Sequence, residues 1–583
     1  MAYSNAAAAA VFDEIADLLE VQGGNAFRVR AYRNAARTLA GLGRSAKEMI
    51  AAGEDLDDLP GIGKDLAGKI AEIVATGSCV QLDALRKELP EGITELLRLP
   101  GIGPRRVQAL RGALGVQCLA DLQAAAEQGR IRGVRGFSRD AERRILDAII
   151  ALLKTQRRVP LATAAPMAAA LLAELQTVAG VQQAAVAGSL RRRRDTVGDI
   201  DLLVSAGRGS PVMERFAGGN GVQRVLAKGS TRASIVLQGG VQVDLRVVPQ
   251  ASFGAALLYF TGSKPHNIAL RRLAQEAGLK LNEYGLFQGA HRVAGDTEES
   301  VYRALGLPWI DPELREDSGE LDAARADRLP HLVRLQELRG DLHVHTSDSD
   351  GRDSLRVMAE AAAARGLSYI AVTDHSRRLA IAHGLDAGRL ARQIDLIDAM
   401  NEQLSGITLL KGVEVDILKD GKLDLPGAIL QRLDLVVGAV HERFDLPADQ
   451  QTARLLRAMD HPYFSILAHP AARLLGEREP CAFDLERVLR HARERGCFME
   501  LNGQPTRLDL DDHACRMARD IGVLVSIASD AHGLLEFGHL DWGVGQARRG
   551  WLEARHVLNT RPLEEVRRLL DATMGRSEAA VTS

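Results

Sequence analysis

The segment Asp199-Ile200-Asp201 sets two carboxylates two residues apart, with apolar Ile200, Leu202 and Leu203 around them. On a β-strand, residues i and i+2 share a face, so the acids project together while their neighbours bury. Carboxylates so close repel unless cations lie between them. Hard oxygen ligands suit Mg²⁺ or Mn²⁺, and two such ions activate a hydroxyl nucleophile and stabilise a leaving pyrophosphate. A third acid, Asp244 in Val241-Gln242-Val243-Asp244-Leu245, lies in another strand-like run whose apolar members have no use for a charge. A lone Asp-x-Asp is more often a surface-strand pattern. Combined with the upstream Gly188-Ser189 turn, four arginines (Arg191 to Arg194) and the downstream acid, it points to phosphoryl or nucleotidyl transfer.

A second set is richer in imidazole: His343-Val344-His345, Asp350, Thr373-Asp374-His375, Glu414, His441, His469-Pro470 and Asp530-Ala531-His532. Most follow an apolar, strand-like run, at Tyr369–Val372, Ile407–Leu410, Leu435–Val440, Phe464–Leu467 and Val523–Ile527. Ligands at the C-terminal ends of successive parallel strands converge on one mouth, as barrel enzymes arrange their sites. Mixed imidazole and carboxylate donors favour zinc, manganese or iron over magnesium alone, and so many donors imply about three ions.

The elements that position these residues fall into several modules, since 583 residues exceed one hydrophobic core. The first 150 residues read as short amphipathic helices containing a repeat: Leu59-Pro60-Gly61-Ile62-Gly63 recurs as Leu99-Pro100-Gly101-Ile102-Gly103. Gly-x-Gly opening a helix lets the backbone approach a phosphate and offers free N–H groups without reading a base. Lys64, Lys69, Arg105 and Arg106 beside the turns strengthen that reading. A third copy, Val134-Arg135-Gly136-Phe137-Ser138, lacks the second glycine and is expected to be structural. From about residue 160, strands and helices mix, with strand-like runs at 184–187, 200–204, 233–237 and 241–248; beyond Gly340 they alternate as in a parallel βα array. Charge divides similarly. Residues 1–340 carry 44 Lys+Arg against 39 Asp+Glu and the remainder 30 against 37, which suits a backbone-gripping part followed by a carboxylate-rich one.

Other classes are excluded by composition. Five scattered cysteines without a C-x-x-C pair argue against a disulfide framework or zinc knuckle. No 18-residue apolar stretch occurs, and the Ala6–Ala10 run lacks the basic flank of a signal peptide, so a cytoplasmic protein with no membrane contact is expected.

The repeated turns resemble the helix-hairpin-helix DNA-binding motif, and the Gly-Ser and Asp-x-Asp elements resemble the nucleotidyltransferase superfamily. Tyr259-Phe260-Thr261-Gly262-Ser263-Lys264-Pro265-His266-Asn267, followed by Leu281-Asn282-Glu283-Tyr284-Gly285-Leu286-Phe287, narrows this to family X DNA polymerases, whose thumb these strings resemble. The resemblance implies that Asp199, Asp201 and Asp244 are catalytic metal ligands. It implies that Ser189 and Arg192 hold the triphosphate, that Gly188 and Gly198 belong to the nucleotide site, that Tyr259, Phe260 and Gly262 crowd the sugar, that Asn267 meets the nucleotide and Arg271 the template. An arginine common two residues before the third aspartate is here Gln242. The N-terminal part resembles the family's small lyase domain: Lys69 falls at the Schiff-base position and Tyr32 matches, while Phe27 and Asp65 do not. The histidine set resembles the PHP (polymerase and histidinol phosphatase) domain at each of nine ligand positions, which implies hydrolysis of phosphate esters by metal-activated water.

The resulting expectation is a multidomain α+β and α/β chain. It has a helical lyase-like domain with the first hairpin motif (1–85), helical fingers with the second (86–155), a nucleotidyltransferase palm (156–250), a thumb (251–312), a linker (313–339) and a PHP-type distorted β/α barrel (340–575). The implied function is gap filling in DNA repair with dNTPs on gapped or nicked DNA by a monomer, using Mg²⁺ or Mn²⁺, coupled to a Mn²⁺- or Zn²⁺-dependent 3′-5′ exonuclease. Abasic-site endonuclease and 3′-phosphatase activity remain open. The alternatives are an RNA nucleotidyltransferase and a non-catalytic DNA-end binding protein with a PHP phosphatase.

Overall fold

The computed structural model describes residues 5–40, 46–51, 54–59, 61–76, 79–89, 92–97, 99, 101–156, 158–207, 209–379 and 382–576. Pro60 and Pro100 of the repeated motif lie outside them. Two compact units result, divided at Arg157/Arg158.

The first unit is helical. Its core gathers Phe12, Ile15, Leu39, Ile70, Leu96 and Leu110 from short helices that cannot bury an apolar face alone. Both hairpin turns take one conformation: Gly61 and Gly101 have φ of 78° and 81°, a region glycine enters without steric cost. Ile62 and Ile102 bury behind them, each donating its N–H to the leucine three residues earlier at 3.0 Å. Helices Lys64–Thr76 and Pro104–Leu114 follow. The third copy forms the same turn. Gly136 has φ of 95°, Phe137 donates to Val134 at 3.1 Å, and Ser138 caps the next helix through the Ala141 N–H.

The second unit begins with a five-stranded sheet of β1 (Val181–Val186), β2 (Ile200–Ala206), β3 (Val222–Lys228), β4 (Arg232–Leu237) and β5 (Gln242–Val248), in the order β1-β2-β5-β4-β3. β2 and β5 are parallel and set Asp201 opposite Asp244. The sequence reading missed β3, an edge strand exposed along nearly its whole length and therefore without an apolar pattern. Next come helices Phe253–Thr261 and Lys264–Glu276, an antiparallel sheet of β6 (Lys280–Asn282), β7 (Gly285–Gln288) and β8 (His291–Ala294), and helix Glu298–Ala304.

Residues 313–339, expected to be a linker, are packed rather than free. Arg315 and Glu320 are fully buried: Arg315 grips Glu298 at 2.6 and 3.1 Å, and Glu320 meets His266 Nδ1 at 2.6 Å. Charge suggested a tether, but here each buried charge has its partner, which makes burial affordable.

The remainder is a parallel barrel of β9 (Gly340–Val344), β10 (Tyr369–Val372), β11 (Thr408–Lys411), β12 (Glu414–Asp416), β13 (Val437–Ala439), β14 (Ile466–Leu467), β15 (Phe498–Asn502) and β16 (Val525–Ala528). They form a three-stranded sheet β9-β10-β11 and a five-stranded sheet β12 to β16. β11 and β12 are one chain path interrupted at Gly412-Val413, and the Val344–Ala531 bridge joins β9 to the segment after β16. Near-continuous burial of these strands fits a sheet covered on both faces. Trp542 packs against the palm core and Trp551 into the thumb core, so the barrel's last helices share cores with the preceding domains.

Candidate functional sites

The palm cleft is built on β2 and β5. Asp201 and Asp244 lie side by side across the parallel pair, with Asp199 two residues before Asp201. Ser234 on β4 donates to Asp244, as does Gln242 at 2.8 Å, so both orient this carboxylate. Desolvation, then repulsion from Asp199 and Asp244, pushes Asp201 up to about 7. Gly188 crosses above with φ of 65°, and a Cβ there would lie 2.2 Å from Asp201 Oδ2; only glycine permits the approach.

A cavity of about 400 Å³ opens beside these acids, lined by Gly188, Ser189, Arg192, Asp199, Asp201, Tyr259, Phe260, Thr261, Gly262, Lys264, Asn267 and Arg271. Thus the lining gathers the expected nucleotide-site residues except Gly198, adds Thr261 and Lys264, and leaves Asp244 outside it. Tyr259 and Phe260 meet edge to face at 5.1 Å between centroids, and Asn267 donates to the Tyr259 carbonyl at 2.6 Å. Arg271 donates back to Asn267. Arg192 lines the cavity, but its guanidinium is committed to Glu316 at 3.0 Å and to the Thr261 carbonyl.

The four arginines after the Gly-Ser turn pair with distant acids, Arg192 and Arg194 sharing Glu316 at 3.0 and 3.9 Å. Arg191 grips Glu298 twice at 2.7 Å, and Arg193, at φ of 56°, reaches Asp541 at 2.8 Å. Arg549 donates to the Arg192 carbonyl, Gln546 to that of Arg193, and Arg473 to Asp195. Sequence reading took this run as positive charge for phosphate; the structure ties it to the thumb and barrel.

At the barrel mouth all nine expected ligands converge. Glu414 is the hub, within 3.6 Å of His343, His345, His375, His441 and His469. Asp530 lies 3.2 Å from His345, and Asp350 contacts His375 and His532 at 3.5 and 3.4 Å. Three sets bring one donor atom per residue within 4.8 Å of each other: His345, Asp350, His375 and His532; His343, His345 and Asp530; His375, Glu414 and His441. His343 Nε2, both His345 nitrogens, His375 Nδ1, His469 Nδ1 and Glu414 Oε2 are buried without hydrogen-bond partners. Buried polar atoms are rarely orphaned, and lone pairs collected this way fit divalent cations.

Electrostatics agree. Burial opposes protonation of His375, yet Glu414 and Asp350 raise it to about 10; His441 and His532 rise to about 9 against the same opposition, through Glu414 with Asp416 and through Asp350 with Asp530. Burial and the charges of its neighbours hold His345, at the centre, down at about 3. A cation would replace those protons, so binding would release them. His469 and Asp530 have φ of 26° and 53°, positive values that a residue without a special role seldom adopts.

Supporting residues escaped the sequence reading. Glu500 accepts from His343 Nδ1 at 2.6 Å and from the His469 N–H at 2.7 Å, Asp416 meets His441 Nδ1 at 2.9 Å, and Asn502 donates to Asp530. The signal was the alternation Glu500-Leu501-Asn502 within an otherwise apolar strand, and Asp416 two residues after Glu414. In the first unit, Gly61, Gly63, Lys64, Gly101, Gly103, Arg105 and Arg106 are all exposed. Lys69 is mostly covered and ion-paired with Asp65, while Tyr32 is buried.

Comparison with known proteins gives four family matches: a helix-hairpin-helix domain at residues 3–79, a SAM-like helix-hairpin-helix tandem at 93–149, the DNA polymerase beta thumb at 256–316 and the PHP domain at 341–503. A Bacillus subtilis (strain 168) protein named DNA polymerase/3'-5' exonuclease PolX is 37% identical over 564 residues, covering 96% of this chain and 98% of the relative. Probable phosphatases of Thermoanaerobacter sp. (strain X514) and Caldanaerobacter subterraneus subsp. tengcongensis are each 30% identical over 38% of this chain, with 89% and 86% of the relatives covered.

Proposed function

Because the chain belongs to the PolX family of DNA polymerase/3′-5′ exonucleases, we propose that it fills short gaps in DNA at the palm cleft and shortens 3′ ends at the barrel mouth. One observation carries the polymerase assignment: Gly188, Ser189, Asp199, Asp201, Tyr259, Phe260 and Asn267 line one cavity. In this reading Asp199, Asp201 and Asp244 hold two Mg²⁺ or Mn²⁺ ions, which would activate the primer 3′-hydroxyl and neutralise the pyrophosphate. The Gly188-Ser189 backbone receives the triphosphate, with Lys264 as an added point charge. Tyr259 and Phe260 close on the sugar where a 2′-hydroxyl would project. The paired turns Gly61-Ile62-Gly63 and Gly101-Ile102-Gly103, with Lys64, Arg105 and Arg106, grip the DNA backbone without reading its sequence.

The nine barrel residues hold about three ions, Mn²⁺ or Zn²⁺, with Glu500 and Asp416 fixing the tautomers of His343 and His441. The relatives named phosphatases favour a second use of this mouth, removal of a 3′-phosphate, and abasic-site incision draws on the same chemistry. Schiff-base chemistry at Lys69 would require it to leave Asp65. The protein is expected to act as a cytoplasmic monomer; among the described residues no helix is long and apolar enough to cross a membrane. An RNA-directed nucleotidyltransferase is not favoured, given the thumb match, nor is a DNA-end scaffold, given the acids beside the palm cavity and the ligand groups at the barrel mouth.

The test is a labelled gapped duplex incubated with Mn²⁺, with and without dNTPs. Extension with dNTPs and shortening without them are expected; neither product would overturn the reading.

A further inference from the structure

Among the described residues, the buried arginines each meet two or more acceptors. Arg315 has Glu298 and the Ile310 carbonyl, Arg454 has the carbonyls of Leu418, Glu442 and Ile417, and Arg549 has Glu316 and Asp512. Arg507 is only 17% exposed, and its Nε is buried with no hydrogen-bond partner. Its nearest carboxylate oxygen, Asp530 Oδ2, is 3.9 Å away, beyond hydrogen-bond range, and already accepts from Asn502 at 3.0 Å.

The backbone holding Arg507 is fixed. It follows β15 at the ligand-bearing mouth of the barrel, its N–H donates to Gln504 at 2.8 Å, and its carbonyl accepts from Arg473 at 2.9 Å. Leu508 is held at φ of 46°, and Asp509 pairs with Asn502 across the loop. A largely covered guanidinium whose buried Nε lacks an acceptor, at the edge of a ligand-dense site, suits an anion, and its planar fork matches the non-bridging oxygens of a phosphate.

We infer that Arg507 donates to a non-bridging oxygen of the phosphate hydrolysed at the barrel mouth, a catalytic contact beyond the nine metal ligands. This rests on the reading of that mouth as a phosphoester-cleaving site.

The probe is thymidine 5′-monophosphate p-nitrophenyl ester, a single phosphodiester that bypasses the long DNA grip of the N-terminal unit. Its hydrolysis is followed in the full-length protein alongside calorimetric binding of thymidine 5′-monophosphate and the metal content of each preparation. Arg507→Ala should lower kcat/KM and weaken nucleotide binding, each by about ten- to a hundredfold, with metal content unchanged. Arg507→Lys, which keeps the charge but loses the fork, should recover part of both and guards against a folding defect in the alanine variant. The inference is overturned if Arg507→Ala binds and turns over within twofold of the unmodified protein, or if metal is lost in step with activity. Failure of the unmodified protein to cleave the ester, with nucleotide binding still weakened by Arg507→Ala, would sink the cleavage reading and leave the phosphate contact standing.

Discussion

Asp199, Asp201 and Asp244 offer oxygen ligands alone, whereas Glu414 at the barrel mouth is ringed by five imidazoles, and Glu500, Asp416 and Asn502 hold His343, His441 and Asp530 from behind. In the palm cleft Ser234 and Gln242 steady Asp244 alone, and burial with the two neighbouring acids pushes Asp201 up to about 7. At the mouth, alternating donors let carboxylates and protonated imidazoles offset one another before any cation arrives. The lesson concerns preorganisation. The cleft depends on its ions to bring the acids together at full charge, so cations and nucleotide complete it; the mouth is held in place by side chains that touch no ion, as second-layer partners do at many metal centres.

The largest expected effect tests whether the two sites are separate. Asp201→Ala should reduce primer extension by at least about a thousandfold while 3′-end shortening persists, and His343→Ala should do the reverse, since losing a metal ligand removes several kcal/mol and each 1.36 kcal/mol is about tenfold in rate. Gel assays on one gapped duplex check both. Loss of both activities in either variant would break the comparison.

Between the sites, Glu298 anchors Arg191 and Arg315 while 4% exposed. Glu298→Ala should destabilise the chain by about 3–5 kcal/mol, because it strands two arginines, and the thermal midpoint reports the loss. Burial opposes its ionisation, but the two arginines hold Glu298 down at about 2, below the ordinary 4.5. A depressed folded-state pKa gives stability that is fully present above pH 4.5 and lost as pH falls toward 2. The unmodified protein should therefore lose about 3 kcal/mol more than Glu298→Gln across that window, measured as a difference between melting curves.

A sharper probe of preorganisation is Glu500→Gln. Removing the charge behind His343 should weaken metal affinity or shortening by about ten- to a hundredfold and leave extension intact, as metal titration would show. The smallest effect is expected at Tyr259→Ala, which should relax discrimination against ribonucleotides by about tenfold with dNTP use nearly unchanged. Competitive incorporation measures it, and an unchanged ratio would remove Tyr259 from sugar selection.

How legible each site was follows from how its residues appear locally. Ligands sitting where apolar strands end, such as His375 or His469, announce themselves because a polar residue there has no packing role. Asp201 and Asp244 showed by charge inside apolar runs. Glu500 and Asn502 lie within β15, where their polarity looks like an interruption until the fold turns that face toward His343 and Asp530. Arg507 was invisible because an arginine in a loop is usually solvated, and only three-dimensional packing reveals that its Nε lacks an acceptor. β3 was missed since an exposed edge strand carries no alternation, and residues 313–339 looked like a tether because the charges of Arg315 and Glu320 are matched only by residues distant in sequence. The third hairpin turn kept its backbone with Ser138 in place of glycine, showing that the first glycine sets the bend.

The run from Arg191 to Asp195 acts as a keystone. In five residues it sends Arg191 into the thumb, Arg193 to Asp541 and Asp195 to Arg473, while Arg473 also holds the carbonyl of Arg507. The palm and barrel are therefore poor interchangeable parts. A graft joining this palm to a foreign barrel inherits an arginine and an aspartate cut to fit surfaces that the newcomer lacks. Exchange of barrels between such chains would succeed only when Asp541 and Arg473 travel with their counterparts, so the joint, more than either site, records which halves have shared a history.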